Sequence, residues 1–98
     1  MKEQYYLFGC TVCHETIRDD SYTMEYFDPV RGWIEDRPGK DYRDYGTSIR
    51  DALHAYGDYS PADVNLIDKE TAMKITEEQK KHKAANIPGL NWGGSYTG

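Results

Sequence analysis

The run Cys10-Thr11-Val12-Cys13-His14 places both cysteines and one of the three histidines of the chain within five residues. Two thiols two residues apart, followed by histidine, form the attachment pattern of a c-type haem. In that chemistry the sulfurs bond the porphyrin and the imidazole binds iron, and Met24 or Met73 would supply the second axial ligand. The first four residues also form half of a zinc knuckle, in which a tight turn aims two sulfurs at one ion. A closed zinc site needs two more ligands. The chain has no second cysteine pair, so His14, His54, His82 or a carboxylate would have to complete it. A redox dithiol is the third chemistry, but Glu15, Asp19 and Asp20 follow closely and oppose thiolate formation. The reading that asks least is two reduced cysteines packing as small hydrophobes at a strand end. Cys10, Cys13 and His14 therefore stand as the candidate metal ligands. Zinc is the alternative to a cofactor-free domain, and haem ranks below zinc.

A second constellation lies in Asp41-Tyr42-Arg43-Asp44-Tyr45, with Trp33 upstream. Tyr, Trp and Arg are enriched at the energetic centres of protein interfaces. Tyrosine supplies broad amphipathic contact area with few torsions to freeze. Trp33, Asp41, Tyr42, Asp44 and Tyr45 are the expected partner-binding residues. Carboxylates interleaved with aromatics also imitate a nucleic-acid backbone and can occupy a basic groove. The competing reading is that these tyrosines cover the edge of a small core.

Catalytic patterns are weak. Cys10 or Cys13 could in principle pair with His54 or His82 as nucleophile and base, but sequence does not bring them together. Asp19-Asp20 and Glu35-Asp36 read as solvated charge. Gly93-Gly94 does not precede a helix, so it forms no phosphate cradle. The chain is expected not to be an enzyme.

The elements that must position these residues are few. The sequence has 98 residues, enough for one small domain. Only 38% are apolar and nine are tyrosines, so aromatic rings must carry much of the packing. Net charge is −5, with −6 over residues 1–63 and +1 over 64–98. An acidic surface repels phosphate, which argues against direct nucleic-acid binding and for a partner with a basic surface. No run approaches the ~18 apolar residues of a membrane span. Met1-Lys2-Glu3-Gln4 leads into no signal-peptide pattern, so a cytoplasmic, thiol-reducing location is expected.

Aromatic and β-branched residues predict a strand over 4–12, with Gly9 marking a bulge or close approach. Residues 21–36 predict a hairpin turning at Asp28-Pro29-Val30-Arg31-Gly32. A charged loop over 36–46 leads to a helix capped by Ser48, with Ile49, Ala52, Leu53 and Tyr56 on one face and Gly57 as its stop. Ser60-Pro61-Ala62-Asp63 resembles a helix start, yet Val64–Ile67 is β-like, and a second hairpin over 64–75 is preferred to one longer helix. Thr76-Glu77-Glu78-Gln79 then opens a polar helix ending near Ala85.

The expected fold is a small single α+β domain. It has an antiparallel, mostly one-faced sheet of about three to five short strands and one or two helices. Residues 1–86 form the domain and 87–98 a Gly- and Asn-rich tail, where Trp92 and Tyr96 could anchor. The expected function is a small acidic, Tyr-rich protein-binding module. Its specific form is a stoichiometric inhibitor of a nucleic-acid-handling protein, of the kind mobile elements encode. A zinc-stabilised domain is the alternative, and a haem electron carrier the weakest one.

Overall fold

A computed structural model describes residues 1–37, 39, 42–54 and 61–85. Strand β1, Lys2–Phe8, pairs antiparallel with β2, Thr11–Ile17. The predicted single strand over 4–12 is therefore two strands. Gly9 and Cys10 are the two-residue loop between Phe8 and Thr11, and Gly9 adopts a φ of 61°. Glycine at the first loop position is the requirement of a tight hairpin whose twist matches its strands.

The 21–36 hairpin stands as expected. Strand β3, Tyr22–Asp28, pairs with β4, Gly32–Glu35. Asp28 Oδ1 closes the turn by accepting from the backbone N–H groups of Val30 (2.9 Å) and Arg31 (2.8 Å). Helix α1, Tyr45–Leu53, follows, and a 3-10 turn at Pro61–Asp63 leads into β5, Val64–Ile67. Strand β5 returns to pair antiparallel with β1, so the sheet order is β4-β3-β2-β1-β5.

Helix α2, Lys69–His82, replaces the hairpin predicted over 64–75. Only its first half, β5, is a strand. Asp68 caps the helix by accepting from Thr71 N–H at 2.7 Å, so Asp68-Lys69-Glu70-Thr71 is a helix start rather than a turn. Thr76 accordingly lies mid-helix and opens nothing. Lys83, in the left-handed region at φ 54°, ends α2.

Alternation along the strands builds two layers of core. On one face Tyr6, Cys13, Met24, Tyr26 and Val64 meet Ile49 and Ala52 of α1. On the other, Tyr5, Leu7, Val12 and Phe27 meet Ala72 and Ile75 of α2. The sheet is thus covered by a helix on each face, not on one. The reason is α2: its inward face is Ala72, Ile75, Thr76 and Gln79, half of it polar, so no apolar stripe announces it. Gln79 is fully buried, and its Nε2 donates to the Cys10 carbonyl (2.6 Å) and the Ala85 carbonyl (2.9 Å), tying α2 to the β1–β2 turn.

Helix α1 begins three residues before the predicted Ser48 cap. Its N-terminus is held by Asp36, a buried carboxylate from the end of β4. Asp36 Oδ1 accepts from Arg43 N–H (2.6 Å) and Asp44 N–H (3.0 Å), and Oδ2 accepts from Tyr45 N–H (2.6 Å). Gly57 and the tail over 87–98 lie outside the described residues. Among the described residues no helix is long and apolar enough to cross a membrane.

Candidate functional site

Helix α2 covers only part of its sheet face. Beside it runs a row set by the strand register: Ile67, Tyr5, His14, Glu25 and Glu35, one from each strand from β5 to β4. All five share a face, because directly paired residues of antiparallel strands project to the same side. Glu3, from the neighbouring row, leans onto His14.

His14 is the centre of the row. Its Nε2 lies 3.0 Å from Glu3 Oε1 and its Nδ1 3.2 Å from Glu25 Oε1. A neutral imidazole donates from one nitrogen only, whereas the doubly protonated ring donates to both carboxylates. The ring stacks on Tyr5 at 4.4 Å and 10° and meets Trp33 edge-on at 6.1 Å. Trp33 in turn packs edge-on against Phe27 at 5.2 Å. Burial pushes the Tyr5 phenol above its ordinary pKa, and the charges of Glu3 and Glu25 push it further.

Two carboxylates of this row stand on adjacent strands. Asp36 N–H donates to the Met24 carbonyl at 2.8 Å, which makes Met24 and Asp36 a hydrogen-bonded pair. Bonded and non-bonded pairs alternate along an antiparallel ladder, so the next pair, Glu25 and Glu35, is of the non-bonded kind with its side chains closer together. Two carboxylates directly opposite on one face destabilise a sheet. Glu35 is partly compensated by Arg37, whose Nε lies 3.0 Å from Glu35 Oε1 in a solvent-exposed pair.

The predicted partner-binding residues are divided between two faces. Trp33 stands on the α2 side, next to the acidic row. Tyr42 and Asp44 stand on the α1 side, in a cleft of about 400 Å3 shared with Tyr22 and Arg50. Tyr42 is exposed, and its hydrogen bond to Asp44 raises its pKa. Tyr45 is half-buried against Tyr26 (5.0 Å) and Phe8 (6.1 Å) and packs on the α1-side core. Asp41 lies outside the described residues. Glu3, Tyr5 and Glu25 carry no site signal of their own in the sequence, and Glu35 reads there only as solvated charge. The signal that finds them is the Gly9-Cys10 hairpin loop, which fixes Tyr5 opposite His14.

The Cys-Thr-Val-Cys-His run is not assembled around one point. Cys10 sits in the hairpin loop. Cys13 points into the α1-side core, and His14, the next residue, points to the opposite face. Burial raises the Cys13 thiol pKa far above its ordinary value, and Asp36 adds to the rise. Among the described residues no three His, Cys, Asp or Glu side chains are grouped to hold a metal. Met24 and Met73 lie in the cores on opposite faces of the sheet. His54 caps the end of α1, and His82 ends α2 at 3.6 Å from Glu78.

A second polar cluster lies on the α1 side. Glu15 accepts from the hydroxyls of Tyr6 (3.3 Å) and Tyr22 (3.2 Å), and Tyr6 also donates to Gln4 Oε1 at 2.5 Å. Burial first, and then the Glu15 charge, push the Tyr6 phenol up to about 12 and raise Tyr22 as well. The hydroxyls of both tyrosines are satisfied by these hydrogen bonds.

Comparison of the chain with protein-family models, with curated proteins and with solved structures gives no match.

Proposed function

We propose that this chain is a protein-binding module that offers the acidic aromatic row of its sheet to a basic partner surface. The observation that carries the reading is the Glu25–Glu35 pair. Two carboxylates occupy the closer kind of cross-strand position, with Glu3 on the far side of the His14 ring and Trp33 on the flank. Like charges directly opposite across two strands cost stability in the free domain, a cost that the exposed Arg37 pair offsets only in part and that a partner's Lys or Arg relieves. Local rules broken at a cost are what functional surfaces look like. Trp33, exposed beside the row, adds aromatic area on which a guanidinium can stack.

The net charge of −5 supports a protein partner over nucleic acid. A protein with a basic groove for nucleic acid is the specific partner class this surface suits, and occupying that groove would make the chain an inhibitor. The two cysteines are free thiols, which suits a reducing compartment such as the cytoplasm.

The test is capture from the native host with wild-type protein and with a Glu3→Gln, Glu25→Gln, Trp33→Ala variant of confirmed fold. The reading expects a basic protein to be captured by wild type, lost by the variant, and displaced by added duplex DNA. Capture that is indifferent to all three substitutions would reject the face.

A further inference from the structure

The outer edge of β4 lies beside this row, and its backbone is legible. Because Met24 and Asp36 are a bonded pair, Tyr26 and Ile34 are bonded as well, and the N–H and C=O groups of Ile34 and Asp36 turn inward to β3. Those of Trp33 and Glu35 therefore turn outward. Strand β4 ends the sheet order, and no other strand among the described residues takes these groups.

On the α2 face, the two outward residues border two kinds of surface. Trp33 lines a cleft of about 430 Å3 with the apolar Phe27, Val30 and Met73 and the charged Arg31, Glu77 and Lys80. Glu35 belongs to the acidic row and also lines the cleft that holds Arg37, Tyr42, Asp44 and Arg50. A strand laid on this edge presents alternate side chains to that face, one beside Trp33 and one beside Glu35. An apolar side chain suits the first place and a cation the second.

The geometry points to strand addition. An extended segment of the basic partner pairs antiparallel with β4, carrying Arg or Lys opposite Glu35 and an apolar residue opposite Trp33. Antiparallel pairing continues the pattern of the whole sheet and orders the segment as cation, any residue, apolar residue. This rests on the proposed docking role and names the partner's chemistry: main-chain bonds give affinity and the alternate side chains give specificity. Arg37, the present neighbour of Glu35, is a competitor that the partner's cation displaces from an exposed pair.

The probe is a blocked heptapeptide, Thr-Thr-Arg-Thr-Leu-Thr-Thr, titrated into the full chain with amide NMR detection. Saturation should slow hydrogen exchange of the Trp33 and Glu35 amides about tenfold or more, because both gain acceptors. N-methylation of the peptide's Arg and Leu amides should abolish binding, and N-methylation of the central Thr should not. Glu35→Lys should weaken binding about tenfold, and Arg37→Ala should tighten it. Absent binding at roughly millimolar peptide, binding of the doubly N-methylated peptide within about twofold, or unchanged exchange at Trp33 and Glu35 would each overturn strand addition. Any of these, beside partner capture that still depends on Glu3 and Glu25, would leave the acidic face standing and remove only the edge.

Discussion

Replacing Asp36 with alanine removes the acceptor for three backbone N–H groups at once. The bonds are short, at 2.6, 3.0 and 2.6 Å, and they organise the chain entering α1. Hydrogen bonds to a charged group contribute about 1.5–3 kcal/mol each. Two effects reduce the sum. The variant no longer buries a carboxylate, which relieves a desolvation cost of several kcal/mol. Tyr42 and Arg43 are also exposed, so water reaches part of the freed backbone. A loss of about 3 kcal/mol remains, above the roughly 0.5–2 kcal/mol of an ordinary cap deletion. For a domain of this size that lowers Tm by about 12–24 °C. Asp36→Asn keeps one acceptor oxygen and should lose about half as much. Ser48→Ala should change stability by less than about 0.5 kcal/mol, since the helix does not start there. Thermal unfolding followed by circular dichroism measures all three. An Asp36→Ala shift below about 4 °C, or a Ser48→Ala loss equal to it, would refute the assignment of Asp36 as the organiser of α1.

Glu35→Lys turns a like-charge cross-strand pair into an opposite-charge one and should raise stability by about 0.5 kcal/mol, while abolishing capture of a basic partner; urea titration and pull-down read the two effects separately. In native protein a thiol reagent should modify Cys10 and spare Cys13 until denaturant is added, because Cys13 is fully buried with its thiol pKa raised; two equally fast thiols by mass spectrometry would contradict the α1-side core. Backbone hydrogen bonds hold the carboxyls of Asp28 and Asp68 below their usual range, and a side-chain bond from Thr47 does so for Asp44. A carboxyl whose folded pKa lies below its unfolded value stabilises fully above the unfolded value of about 4 and loses that contribution as pH falls further. Denaturation midpoints should therefore fall below about pH 4, and Asp68→Asn should blunt the fall. Gln79→Ala leaves the Cys10 and Ala85 carbonyls without their donor and opens a void under α2, so a loss of about 2–3 kcal/mol is expected by the same urea assay.

Local chemistry made the first half of the fold readable. The Asp28–Gly32 turn and the aromatic runs on either side of it suffice for β3 and β4, because everything that sets them lies within a few residues. Helix α1 was displaced because its organiser is Asp36, seven to nine positions from the groups it binds, and no nearby capping pattern reports that. Helix α2 was divided because its buried face uses Thr76 and Gln79, which look like solvent residues until the Gln79 amide is seen clasping the Cys10 turn. The acidic row required strand register. Trp33 was legible as an exposed aromatic, but Tyr45 and Tyr42 are indistinguishable in sequence, and only packing sends the first inward. His14 was noticed as a neighbour of cysteine, while its working neighbours are Glu3, Tyr5 and Glu25 on adjacent strands.

The sheet order has a consequence for synthesis. Four strands form a meander that can assemble as it leaves the ribosome, but the far side of β1 waits for β5. Phe8 and Val64 are partners in that last pairing. At roughly 5–20 residues per second, translation leaves β1 uncovered for about 3 to 11 s. Tyr6 and Leu7, both buried at completion, are within reach of other nascent chains during that interval. Codon changes that slow elongation between residues 37 and 63 should therefore increase aggregation in cells without changing a single contact of the finished protein.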